Sequence, residues 1–264
     1  MIWDSEVRLW WMILAATALV NVVLWLFLMR KCGSRIFYWA SGFYVFGCAF
    51  RSLLPRADVQ RVTLFNGFVS SVFVGRSVAT LAELGFALQW GMVLNLLGKK
   101  TQNPWVRRVG FLVFPLIFVA EIFSWYAVLT TNYLGSVFEE SLWGLTFALV
   151  SFAIFSLRKD LGKSGKTIAL YVCLGLLLYV GYMFLVDVPM YYRRWVYDRQ
   201  DGLPVLTPLQ GLRDVLTHWT VSRSYADWRS EMLWMTLYFG PGVWSSLLLN
   251  LVPGHFSRFR TKSK

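Results

Sequence analysis

Long apolar runs dominate the chain, and the breaks between them are short and mostly basic. Seven runs each come near the roughly 20 residues that carry a helix across about 30 Å of hydrocarbon. They are Leu9–Met29, Ile36–Leu54, Val69–Leu97, Val106–Leu129, Tyr133–Leu157, Thr167–Met190 and Glu231–Val252. The pattern predicts an all-α, polytopic integral membrane protein whose residues 1–264 form a single seven-helix transmembrane domain. No internal repeat is visible, which speaks against an inverted-repeat transporter.

The connections alternate in charge. Arg30, Lys31 and Arg35 follow the first span, Lys99, Lys100, Arg107 and Arg108 the third, and Arg158, Lys159, Lys163 and Lys166 the fifth. A basic tail, 254–264, follows the seventh. Every lysine falls on this side, so the positive-inside rule puts the N-terminus outside and the C-terminus in the cytoplasm. The implied location is the cell (inner) membrane, or an endomembrane in a eukaryote. The opening MIWDSEVR is acidic where a signal peptide is basic, so the first run reads as a retained span.

On the opposite side, 191–230 is the one long connection. There Thr207 can cap a helix with Pro208 at its first position. Leu209, Leu212, Leu216 and Trp219 then recur at helical spacing, which predicts an amphipathic interfacial helix between the sixth and seventh spans. The shorter Pro55–Phe68 segment, mixing charges and aromatics, reads as another short helix. Trp3, Trp10, Trp11, Trp105, Trp195, Trp219 and Trp228 lie near span ends and fit interfacial belts.

Composition narrows the function. The chain is 57% hydrophobic and only 15% charged, with a formal charge of +12. Because the basic residues sit in topology-setting clusters, nucleic acid is not the implied partner. Cys32, Cys48 and Cys173 have no metal-ligand spacing, and His218 and His255 are too few for a histidine-built metal or haem centre. A retinal protein needs a Schiff-base lysine in its last span, and Glu231–Val252 has none. Serine-hydrolase elbow, zincin, Walker and paired Cys-x-x-Cys motifs are also absent. No cofactor or metal is implied.

What remains is charge inside the spans, which costs several kcal/mol per group unless it faces protein, water or a partner. Glu83 sits at the midpoint of the third span, and Arg76 lies about 10 Å nearer the outside on the same helical face. Glu121, Glu139 and Glu140 fall in the outer half of the fourth and fifth spans, and Arg51 and Asp187 near the outer ends of the second and sixth. Trp143 is one turn from Glu139. The clustering predicts a polar cup open to the outside. Ser71, Gly75, Ala79, Ala82 and Gly85 would let other helices approach the third span closely, and Gln89 reads as a helix-packing hydrogen bond. Gly240-Pro241-Gly242, Pro115 and Pro189 predict helix breaks. Adjacent carboxyls in a low dielectric cannot both ionise cheaply, so one of them can hold a proton and donate it.

Three functions fit. An intramembrane, metal-independent enzyme would use Glu83, Glu139 and Glu140 for acid/base chemistry on a lipid or isoprenoid-like amphiphile, with Arg76, Arg51, Glu121, Asp187 and Trp143 lining the substrate site. A receptor, carrier or proton-coupled transporter would bind a solute from outside with the same groups. A scaffold subunit would pair its charges with a membrane-protein partner. Membrane lipids are a partner in every case.

Overall fold

A computed structural model of the chain describes residues 3–28 and 34–253. Arg30, Lys31 and Cys32 of the first basic loop, and the tail 254–264, lie outside the described residues. The helices are α1 (Ser5–Leu28), α2 (Arg35–Leu53), α3 (Val72–Lys100), α4 (Pro104–Thr130), α5 (Tyr133–Ser156), α6 (Lys163–Tyr182), α7 (Val188–Gln200), α8 (Pro208–Thr217), α9 (Tyr225–Leu237) and α10 (Val243–Leu249). Among the described residues three two-residue strands accompany them: β1 (Arg56–Ala57), β2 (Val62–Thr63) and β3 (Thr220–Val221).

Among the described residues, six helical stretches are long and apolar enough to cross a membrane, with α6–α7 counted as one and α9–α10 as another. A nearly all-helical chain of this kind fits a membrane-embedded protein. The expected second span is helical as α2 but is not one of the six, because Arg35, Arg51, Ser41, Ser52, Gly42 and Gly47 dilute its apolar residues.

Two compact units are formed, Met1–Gln89 with Leu212–Lys264, and Trp90–Gly211. In the first unit α1 packs on α2 and α10. Trp25 stacks on Tyr38 at 4.1 Å and donates its indole N–H to the Tyr38 carbonyl. Around Pro241, which has no N–H to give, α9 passes into α10 through a π-helical turn, Tyr238–Gly242. Asn21 steadies that turn, donating to the Phe239 carbonyl at 3.0 Å and accepting from Trp244 at 3.0 Å.

The segment expected as a short helix over Pro55–Phe68 is instead a β-hairpin. Arg61 takes the left-handed conformation (φ 58°) and its guanidinium donates to the Asp58 carbonyl at 2.6 Å, which closes the turn. β3 then adds in parallel to β2, with Thr220 and Ser222 N–H donating to the carbonyls of Arg61 and Thr63 at 2.7 and 3.0 Å. Those backbone partners lie about 160 residues away in sequence, beyond the reach of any local pattern. Two belt tryptophans are likewise core residues: Trp10 and Trp228 pack at 5.6 Å, and Trp228 is fully buried with its N–H on the Ser222 carbonyl.

In the second unit, α4 and α5 form an antiparallel hairpin. α6 runs through a π-helical turn, Met183–Asp187, into α7, so the helix extends ten residues beyond Met190 and the long connection is shorter than expected. Pro189 falls in the first turn of α7, and α4 continues past Pro115. α8 starts as the sequence predicts. Gln210 N–H donates to Thr207 Oγ1 at 3.4 Å and Thr207 N–H to Gln210 Oε1 at 2.9 Å, a reciprocal capping box. Its covered face is Gly211 and Val215, however, whereas Leu209 and Leu212 are exposed.

Candidate functional site

In the first unit, Arg76 and Glu83 are separated by two helical turns and so share one face of α3. The side chains span the interval directly: Arg76 Nη2 lies 2.9 Å from Glu83 Oε2, and both are buried. Each charge neutralises the other, which offsets part of the cost of placing either in an apolar interior. α2 comes close at this level because Gly47 faces Ala82 and Tyr44 stacks on Phe86 at 4.4 Å. That approach brings the Cys48 thiol, hydrogen-bonded with Tyr44, within electrostatic reach of Glu83 and of Arg51.

Arg51 itself turns to the sheet end. Its Nη2 lies 3.3 Å from Asp58 Oδ2, and its guanidinium stands 5.9 Å from the Trp234 ring. Beside it is a charged residue that sequence reasoning missed. Arg56 is fully buried, and its guanidinium donates to the carbonyls of Leu54 at 3.0 Å and Ser71 at 2.7 Å, with the Phe50 ring 5.1 Å away. Burial pushes its pKa down to about 10, against the pull of nearby Asp58, so it stays charged at neutral pH. Gly75 makes this possible: a Cβ there would lie 2.2 Å from the Arg56 side chain.

Gln89, on the same helix as Glu83, anchors a separate neutral network. It donates to the Ser246 carbonyl at 2.8 Å and Asn250 Oδ1 at 3.1 Å, and accepts from Ser246 Oγ at 2.7 Å. The packing role expected for it from sequence is what the structure shows.

The second unit assembles a different group. α4 ends at Thr131 in the left-handed conformation (φ 55°), and Asn132 caps α5 by accepting from Leu134 N–H at 3.1 Å. A hairpin closed there pairs residues equidistant from the turn. Glu121 lies ten residues before Thr131 and Glu139 eight after it, so their heights along the hairpin differ by about 3 Å of helix rise. Their carboxylate oxygens come within 4.8 Å of one another, and both residues are buried. Gly135 lets the helices close, since a Cβ on it would stand 2.6 Å from the Phe123 carbonyl oxygen.

No protein family, curated protein or solved structure matches the chain. The site must be read from its own chemistry.

Along α5 the residues that follow Glu139 on its face form an apolar wall. Trp143 is buried and stacks on Phe147 at 5.7 Å, with Tyr179 and Trp90 edge-on to Phe147 at 5.4 and 5.7 Å. Glu140, expected beside Glu139 in a catalytic role, is only half-buried, one position round the helix. Asp187 is buried at the end of the π-helical turn. Two carboxylates from two helices and an aromatic wall can hold and pass a proton, and can bind a divalent cation whose remaining ligands are water. The pairing of Glu121 with Glu139 was not legible as such, because the two stand at unequal distances from the turn, ten and eight residues from Thr131.

Proposed function

We propose that this protein is an intramembrane enzyme that acts on a lipid or isoprenoid-like amphiphile by carboxylate acid/base chemistry, with Glu121 and Glu139 as the proton-handling pair. The observation that carries this reading is the approach of two buried carboxylates to within 4.8 Å on a hairpin closed by Thr131 and Asn132. Like charges that close in a low-dielectric interior favour one shared proton, which gives a donor and an acceptor side by side. The Trp143–Phe147 wall supplies π-faces, which attract the positive charge that protonating an alkene develops. Glu121, expected from sequence as a substrate contact, is thereby a candidate catalytic group. Glu83, expected from sequence as a catalytic acid, is held by Arg76 in the first unit. The proposed setting is the cell membrane, N-terminus outside.

The test is turnover of a membrane lipid extract by wild type, Glu121→Gln and Glu139→Gln in nanodiscs, followed by lipid mass spectrometry. A product made by wild type and reduced about 100-fold or more in both variants supports the proposal. Equal product from all three removes the pair from catalysis. Stabilisation by added Mn²⁺, lost in both variants, would make the pair a cation site instead.

A second reading, a proton-coupled carrier, draws on the buried Gln89–Ser246–Asn250 network, because a polar chain below Glu83 suits a path for protons or water. Proteoliposomes that acidify on solute addition, with no lipid conversion, would favour it.

A further inference from the structure

At the sheet end of the first unit, three buried charged residues lie together and two of them are fully satisfied. Arg56 spends Nε and both Nη atoms on backbone carbonyls. Glu231 accepts from Gln60 at 3.1 Å, Ser230 at 3.0 Å and Trp234 at 2.6 Å. Arg51 differs. Its side chain is 7% exposed and that of its partner Asp58 9%, and their one contact is long for a charge-assisted bond at 3.3 Å. Arg51 Nε and Asp58 Oδ1 are both enclosed and have no hydrogen-bond partner among the described residues. A buried donor and a buried acceptor on the two halves of one ion pair are costly to leave unmet.

One group that accepts from the guanidinium and donates to the carboxylate would satisfy both atoms, and a hydroxyl does both. The level of the site in the membrane indicates whose hydroxyl. Trp3, Trp11 and Phe65 cluster at 5.3–5.8 Å, and Trp11 donates to the carbonyl of Leu53, two residues beyond Arg51. Aromatic clusters of this kind settle at the headgroup region of a bilayer. We infer that Arg51 and Asp58 form a binding site for the hydroxyl of a polyol lipid headgroup, with Trp234 as its aromatic side. This site does not depend on the chemistry proposed for Glu121 and Glu139, and its readout is binding.

The experiment compares wild-type protein reconstituted with phosphatidylglycerol or with phosphatidylethanol, which has the same charge and no headgroup hydroxyl. Lipid retained in native mass spectrometry and the midpoint of thermal unfolding are recorded. Phosphatidylglycerol should be retained roughly tenfold better, as one hydrogen bond to a charged group implies, and should raise the midpoint. Asp58→Asn and Arg51→Lys should each bring the ratio below about threefold. Equal retention of the two lipids by wild type would overturn the site and leave its polar atoms to water, and that comparison needs no variant to fold. Glycerol restoring the midpoint in phosphatidylethanol would overturn the lipid source in favour of a free polyol.

Discussion

Arg76 and Glu83 illustrate what a buried charge demands of its neighbours. Removing one partner leaves the other uncompensated, so Arg76→Ala or Glu83→Gln should each cost about 3 kcal/mol or more, whereas the double replacement Arg76→Met with Glu83→Leu should recover most of it. Denaturation in mild detergent would check this, and a double variant no better than either single one would contradict it. Arg56 depends on the absence of a side chain opposite it. Gly75→Ala places a methyl where its guanidinium stem runs, and about 1–3 kcal/mol of stability should be lost, read as a lower unfolding midpoint. The ion pair on α3 was legible from its seven-residue spacing. The Arg56 site was not, because its partners are backbone carbonyls of Leu54 and Ser71, which carry no residue signature.

The same division holds among the elements. Helix positions follow from apolar run length and caps: α5 begins at Tyr133 as its run predicts, α8 begins after Thr207 as its cap predicts, and α4 begins at Pro104, two residues before the expected Val106. The hairpin at Arg56–Thr63 is not legible locally, because its stabilising partner, β3, is distant in sequence. Nor is the continuation of α6 into α7, because Tyr191–Arg194 looks interfacial by composition yet retains helical hydrogen bonding. Two expectations follow for elements. Thr207→Ala removes half of the capping box, costs α8 about 1 kcal/mol, and should speed amide exchange in its first turn about fivefold. Gly135→Ala wedges α4 from α5 at the Phe123 carbonyl and should separate the glutamates, so catalytic loss should exceed loss of stability. Equal losses would show that Gly135 serves packing alone.

For the whole molecule, the expected sidedness rests on the charge pattern. If the basic clusters face the cytoplasm, a cysteine at Gln60 should react with a membrane-impermeant maleimide from outside intact cells, and one at Ser164 only after permeabilisation, in a background without native cysteines. The reverse pattern would invert the topology. The membrane class was legible because 57% apolar content arranged in span-length runs has few other uses. The candidate site was legible only in its residue types. Which acids meet is decided by hairpin geometry, and Glu121 and Glu139 are separated by a turn whose height along each helix must be counted.

Whether Glu121 and Glu139 share a proton is decided by infrared spectroscopy of the reconstituted protein at neutral pH. The carbonyl stretch of a protonated carboxyl group should be present in wild type and shift on transfer to D₂O. Replacing either glutamate by glutamine should abolish or move it. A wild-type spectrum without that band, or one unchanged in both variants, would contradict a shared proton.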